Sequence, residues 1–121
     1  MTQKKTLVLG ASTNPARYSN KAILKLRYYK HPVVAIGGKP EKVEDITIET
    51  GNVKFKDIDT VTMYLNAERQ KSLEDYILSL KPKRIIFNPG AENESLKTKA
   101  EKQGIECVEA CTLVMLTIGA Y

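Results

Sequence analysis

The chain has 121 residues, enough for one hydrophobic core, so we expect residues 1–121 to form a single domain. Hydrophobic residues make up 42% and charged residues 27%, as in ordinary globular proteins, and no apolar run approaches the roughly 18–20 residues of a membrane span. The polar, basic start does not resemble a signal peptide. These features predict a cytoplasmic protein with no membrane partner.

The net charge of +5 is unevenly distributed along the chain. Residues 1–40 contain eight basic side chains and no Asp or Glu, whereas the remaining residues contain more acidic than basic side chains. This predicts an electropositive face that attracts anionic ligands, although a solvated basic surface has the same composition. Aromatic residues do not alternate with the basic ones in a stacking pattern, so we expect a phosphate-bearing small molecule and not a nucleic acid.

Short apolar runs alternate with helical patterns from the start of the chain. Residues 6–10 predict a strand, residues 19–30 a helix and residues 32–36 a second strand. Residues 44–55 alternate around a Thr-Gly-Asn turn and predict a small hairpin or irregular segment. A third main strand over 59–65, a helix over 67–80 and a fourth strand over 83–88 follow.

The last part of the chain continues this alternation. Residues 93–103 predict a helix that ends at Gly104, and residues 105–108 predict a fifth strand. The apolar tail over 110–121 predicts a short helix or a docked extension. Five strands separated by helices predict an α/β fold: a Rossmann-like, doubly wound parallel sheet with strand order 3-2-1-4-5.

Ligands of such sheets bind beyond the carboxyl ends of the strands, at the switch point, which this order places between strands 1 and 4. That rule selects the loops over 10–20, 36–40, 64–67 and 88–94. In the first loop, Gly10 permits a tight turn, and Ser19 or Asn20 is the expected N-cap of the following helix. The free amides of that helix suit a pyrophosphate, with Arg17 and Lys21 as nearby cations, although an ordinary strand-to-helix loop has the same pattern.

The second loop bears on which nucleotide is bound. A sheet that binds NAD carries Asp or Glu at the end of its second strand to hold the ribose diol, and here no acid precedes Glu41. Lys39 lies at that end instead. A lysine there suits a phosphorylated ribose, as in NADP or coenzyme A, although a solvated loop lysine is the alternative.

No catalytic set is visible in the sequence. The single histidine, His31, is expected to cap a helix end at the surface, and Glu92 is either a general base or a charge near a helix start. Cys107 and Cys111 indicate neither a disulfide framework nor a metal site. Cys111 is either a buried structural thiol or a thiol that forms a mixed disulfide with a thiol ligand.

Four segments occur in an order that carries a family resemblance: LVLGASTNPARYSNKAI, DTVTMYL, IIFNPGAENE and IECVEACTLV. The chain resembles the small stand-alone CoA-binding domain proteins, which are similar to the N-terminal domain of the succinyl-CoA synthetase alpha subunit. The resemblance covers nearly the whole chain, except that Ala-Ile-Gly-Gly-Lys-Pro replaces the Val-Asn-Pro that ends strand 2 in many relatives. It implies that coenzyme A or an acyl-CoA is the ligand.

The resemblance also implies site residues. Those around the pyrophosphate would be Gly10, Ala11, Ser12, Arg17, Tyr18, Ser19 and Asn20. Lys39 and Pro40 would lie near the adenosine phosphate. Tyr64, Leu65 and Asn66 would border the adenine or pantetheine, and Gly90 and Glu92 would border the inner crevice. The synthetase's phosphorylated histidine lies in a second domain that this chain lacks, so ligase chemistry is not implied.

Three hypotheses follow. The first is a non-catalytic or regulatory module that binds coenzyme A. The second is a small NADP- or CoA-dependent enzyme, or a redox protein that uses Cys111 on the CoA thiol. The third is an interaction protein or homo-oligomer whose apolar tail over 113–121 packs against another subunit.

Overall fold

A computed structural model describes residues 2–121. The strands are β1 Thr6–Ala11, β2 Val33–Gly37, β3 Glu41–Val43, β4 Ile46–Glu49, β5 Thr60–Met63, β6 Arg84–Phe87 and β7 Glu106–Glu109. The α-helices are α1 Tyr18–Tyr28, α2 Ala67–Gln70, α3 Glu74–Ser79, α4 Glu94–Lys102 and α5 Thr112–Thr117, with a 3₁₀ turn at Lys71–Leu73. Among residues 2–121, no helix has the length and apolarity needed to cross a membrane.

All the strands belong to one sheet with the order β3-β4-β2-β1-β5-β6-β7. Six of them pair in parallel, and β3 lies antiparallel to β4 at one edge. The predicted α/β class and parallel sheet are therefore confirmed, but the number of strands was wrong because β3 and β4 add two strands to the main sheet where a separate small hairpin or irregular segment was expected. The turn lies between β3 and β4, before the predicted Thr-Gly-Asn.

The predicted position of the third main strand was also wrong. That strand is β5, and it pairs with β1 through contacts such as Leu7 with Val61, on the side of β1 away from β2. The place beside β2 is taken by β4. Counting the six parallel strands in chain order restores the doubly wound sequence 3-2-1-4-5-6, and the switch point lies between β1 and β5.

Helices cover both faces of the sheet, because the central strands bury side chains on both sides. Along β1, Leu7 and Leu9 face the core shared with α3 and α4, whereas Val8 faces the core shared with α1 and α5. The alternation of neighbouring residues between two cores is the two-residue period of a strand. Because six of the strands are parallel, their carboxyl ends lie together at one edge of the sheet.

The helices begin and end differently from the predictions in two places. The helix expected over 67–80 is interrupted by the 3₁₀ turn, so three short segments replace it. Helix α1 begins at Tyr18 after the N-cap Arg17, so Ser19 and Asn20 are residues of its first turn and not its cap. The predicted helix before Gly104 and the short apolar helix in the tail are confirmed as α4 and α5.

The edge opposite the carboxyl ends contains a buried aromatic cluster. Tyr121 is buried, its hydroxyl lies 2.6 Å from the Thr6 hydroxyl, and its ring packs against His31 and Arg84. The expectation that His31 is a surface residue was wrong: it is fully buried, and its Nδ1 accepts a hydrogen bond from the Lys4 amide at 2.9 Å. The tail therefore packs on its own domain, with Ile118 left exposed.

Candidate functional site

A cleft of about 580 Å³ runs along the carboxyl edge of the sheet. It is lined by residues that follow β4, β2, β1, β5 and β6, in their spatial order. Four strand spacings of about 4.8 Å separate β4 from β6, so the lining extends over roughly 19 Å. A cleft of this volume and length suits an extended ligand with several chemical groups.

The cleft brings together eight of the residues that the sequence selected, and the lining also contains residues that it did not. The selected ones are Gly10, Ala11, Ser12, Arg17, Tyr18, Ser19, Tyr64 and Leu65. The others are Leu9, Ile36, Gly37, Gly38, Gly51, Asn52, Arg69, Leu73 and Pro89. The switch-point rule pointed to most of this edge, whereas Gly51, Asn52, Arg69 and Leu73 come from segments outside the selected loops.

Two glycines let the backbone approach closely at the centre of the cleft. Gly10 has a φ of +97°, and a Cβ there would lie 3.2 Å from Leu65 Cδ2 and from the carbonyl carbon of Tyr64. A Cβ at Gly37 would lie 2.4 Å from the main-chain oxygen of Ala11. The loops after β1, β2 and β5 therefore pack closely on one another at these two glycines, where a larger residue would not fit.

The first turn of α1 adjoins the cleft and lacks a capping side chain. Its N-cap, Arg17, makes no side-chain hydrogen bond to the helix, and the turn contains no acidic residue. The first amides of a helix have no partner within the helix, and the helix dipole makes that end electropositive. Because Tyr18 and Ser19 line the cleft, this turn presents a site for an anionic group.

The charged residues of the cleft are arginines. No Asp, Glu, His or Cys occurs among the lining residues within the described part of the chain. Arg17 stands at the start of α1 and Arg69 in α2, and within residues 2–121 neither guanidinium makes a hydrogen bond or an ion pair. Two unpaired cations without a neighbouring carboxylate make the cleft electropositive.

The structure places six of the sequence-selected residues outside the lining. Asn20 is buried, and its side-chain amide donates to the main-chain oxygen of Ser12 at 3.0 Å, which fixes the first loop. Asn66 caps α2 by accepting from the Arg69 amide at 2.9 Å. Glu92 accepts from the Gly90 amide at 3.0 Å, and both are exposed. Lys39 and Pro40 are also exposed.

A buried polar cluster lies beneath Tyr64. The Thr62 and Thr112 hydroxyls are 2.8 Å apart, and Asn88 donates to Thr62 and accepts from the Thr112 amide, each at 2.8 Å. The Tyr64 hydroxyl is buried and makes no hydrogen bond within residues 2–121. Burial raises the pKa of Tyr64 to about 12, so its phenol stays protonated at neutral pH.

The two cysteines lie outside the lining. Cys111 is half-buried at the N-cap of α5. Cys107 is half-buried on β7, and burial raises the pKa of its thiol to about 11. Cys107 packs against the core shared with α3 and α4, and its high thiol pKa leaves little thiolate at neutral pH.

A second polar network, which the sequence analysis missed, joins the loops after β5 and β6. The Gln70 amide donates to the main-chain oxygens of Leu65 at 2.7 Å and of Ala91 at 2.8 Å. Asn93 in turn donates to the side-chain oxygens of Gln70 at 2.9 Å and of Glu74 at 3.0 Å. Full burial of a glutamine requires such partners, so the network fixes one wall of the cleft.

Glu74 completes this network with a charge. Burial by itself would raise the pKa of Glu74, but hydrogen bonds from Lys99, Asn93 and Ser95 outweigh it and lower the pKa. The Lys99 ammonium lies 2.9 Å from Glu74 Oε1. The carboxylate therefore stays ionised behind the cleft wall and links α3 to α4.

Comparison with solved structures shows the same fold in other proteins. A crystal structure of an uncharacterized protein is 45% identical, with a TM-score of 0.97 over 100% of both chains. A protein from Thermus thermophilus is 17% identical, with a TM-score of 0.85 over 98% of this chain and 91% of its own. A conserved hypothetical protein from Pyrococcus furiosus is 25% identical, with a TM-score of 0.77 over 93% of this chain and 98% of its own.

Comparison by sequence gives two further results. No curated protein matches the chain. Residues 4–117 match the protein family described as CoA binding domain.

Proposed function

The chain belongs to the family of CoA binding domains, and we propose that its cleft binds coenzyme A or an acyl-CoA as a non-catalytic or regulatory module. The observation that carries the proposal is the electropositive cleft at the carboxyl edge, with unpaired arginines and no acidic lining residue within residues 2–121. Coenzyme A combines three phosphate groups with an adenine and an extended pantetheine arm. A long cleft with separate cationic and apolar parts suits this combination.

The first-turn amides of α1 suit the pyrophosphate of this ligand. They have no capping side chain, and Arg17 adds a cation beside them. Gly10 and Gly37 also line the cleft, and neither residue carries a side chain that would cover the main chain beside this turn. Loss of the second and third glycines of a dinucleotide-binding turn therefore does not remove the anion site.

The apolar part of the lining suits the adenine. Ile36, Leu65 and Leu73 belong to the same side of the sheet, and all three line the cleft. Ile36 lies near the end of β2, Leu65 follows β5, and Leu73 ends the 3₁₀ turn after α2, so the apolar lining comes from both sides of β1. A planar base between these two walls would remove apolar surface from water, which favours binding.

The lining argues for binding in preference to catalysis. Within residues 2–121 it offers no His, Cys, Asp or Glu as a general base or nucleophile. Tyr64 stays protonated because burial raises its pKa to about 12. The absence of a lining carboxylate beside β2 also disfavours NAD, whose ribose diol is usually held by an acid there.

Isothermal titration calorimetry with coenzyme A, dephospho-CoA, NAD and NADPH tests this function. We expect coenzyme A to bind most tightly and NAD most weakly. Affinity for coenzyme A should decrease as ionic strength rises, because the contacts involve exposed cations. Absence of CoA binding at near-millimolar concentration, or preference for NAD, would refute the proposed function.

A further inference from the structure

We propose that Arg69 is the specificity-determining residue that recognises the phosphomonoester on the adenosine ribose of the ligand. The inference rests on the proposed function and assigns one phosphate of coenzyme A to a side chain outside the loops selected from the sequence. The sequence favoured Lys39 for the adenosine phosphate because Lys39 follows β2. Lys39 is exposed, however, and does not line the cleft.

The position of Arg69 follows from the sheet order. Residues after β2 form one wall above β1, and residues after β5 form the opposite wall, because β2 and β5 both pair with β1. Two strand spacings, about 10 Å, separate these walls at the strand ends. Arg69 lines the space between these walls, so a phosphate on a ribose held at the end of β2 would lie within reach of its long side chain.

The second observation is that Arg69 is unpaired, although an acid is its neighbour in sequence. Glu68 instead forms an ion pair with Lys71 at 3.1 Å, and no hydrogen bond or ion pair engages the Arg69 guanidinium within the described residues. An arginine fork binds two phosphate oxygens at once, which a lysine does not. The donors of Arg69 are thus available for a doubly charged phosphate.

The third observation is that the backbone around Arg69 is fixed before any ligand binds. Its amide donates to the Asn66 side chain at 2.9 Å, and the next residue, Gln70, is held by Leu65 and Ala91. Only the exposed side chain of Arg69 must be ordered on binding. A fixed backbone reduces the entropic cost of that contact.

The experiment compares coenzyme A with dephospho-CoA by calorimetry in the wild type and in Arg69→Gln, Arg69→Lys and Lys39→Gln. Arg69→Gln should weaken CoA binding by roughly 10–100-fold, the usual effect of losing hydrogen bonds to a charged group. It should leave dephospho-CoA binding nearly unchanged, so the variant should no longer prefer coenzyme A over dephospho-CoA. Arg69→Lys should restore part of the preference, and Lys39→Gln should change it by no more than about fivefold.

Several results would overturn the inference alone, with CoA binding intact in the wild type. They are an unchanged preference in Arg69→Gln, an equal loss for both ligands, or loss of the preference in Lys39→Gln. If Arg69→Gln instead weakened only the binding of an acyl-CoA with an acidic acyl group, Arg69 would contact the acyl end of the ligand. That result would also overturn the inference. A wild type that binds no coenzyme A would overturn the proposed function and the inference together. An unchanged urea midpoint in Arg69→Gln establishes that the variant is folded.

Discussion

The main-chain oxygen of Ala11 lies so close to Gly37 that a Cβ at residue 37 would be 2.4 Å from it. The same Cβ would be 2.8 Å from Ile48 Cγ2, so neither side of the position has space. The contact joins the ends of β1 and β2, where their register shifts, and both residues line the cleft.

Gly37→Ala should lower the free energy of unfolding by roughly 1–3 kcal/mol, because an overpacked site forces the backbone to move. Urea denaturation gives this value directly. Gly38→Ala is the matched control, since a Cβ there would meet nothing within 4 Å. Its stability should stay within about 0.5 kcal/mol of the wild type. Equal stability of the two variants would contradict the close contact.

Arg17→Gln should weaken coenzyme A and dephospho-CoA by the same factor, roughly tenfold, because the pyrophosphate is common to both ligands. Calorimetry at constant ionic strength measures the two affinities. Lys102→Gln, which removes the same charge at the far end of α4, should change neither by more than about twofold. A loss confined to coenzyme A would place Arg17 at the adenosine phosphate instead.

Acid should destabilise the domain partly through Glu74. The pKa of Glu74 lies below its ordinary value of 4.5, so its contribution is fully present above that pH and is lost as pH falls through the lowered pKa. Glu74→Gln should therefore show a shallower decrease in unfolding free energy below about pH 4.5. Lys99→Met should raise the pKa of Glu74, measured by carboxyl NMR; no change in that pKa would contradict the ion pair.

His31 should destabilise the domain in a separate, higher pH range. Burial, followed by the charges of Lys4 and Arg84, lowers the pKa of His31 below its ordinary value of 6.5, while Asp59 opposes them weakly. The unfolded chain then binds more protons than the folded one below about pH 6.5, so stability should decrease as pH falls from there. His31→Phe should remove this slope. A wild-type stability that is flat between pH 7.5 and 5 would show that His31 titrates normally.

The alternation over 44–55 predicted a small hairpin or irregular segment, whereas Ile46 and Ile48 are buried in a strand of the main sheet. Alternation does not specify the neighbouring strand, because pairing is made by main-chain groups common to all residues. β5, in contrast, is buried on both faces and suits any central position. The strand order therefore required the three-dimensional arrangement.

The candidate site likewise contains residues that the sequence could locate and residues that it could not. Gly10 lies near the end of β1 and Arg17 in the loop after it, so the rule for carboxyl ends located both from the sequence alone. Arg69 reaches the cleft only because β5 pairs with β1 and because α2 is set off from α3 by the 3₁₀ turn. Similarly, the sequence places His31 just after a helix, but its burial depends on Tyr121, which is distant in sequence and packs against its ring.

The Gln70 amide also determines how the cleft can respond to its ligand. By holding both Leu65 and Ala91, it makes the loops after β5 and β6 a single unit whose shape exists before binding. The opposite wall has open space around Gly38. We therefore expect ligand binding to order only the loop after β2. Amide hydrogen exchange at Gly38 and Lys39 should slow when coenzyme A is added, whereas exchange over 65–70 should change little; slowing over 65–70 alone would contradict this one-sided response.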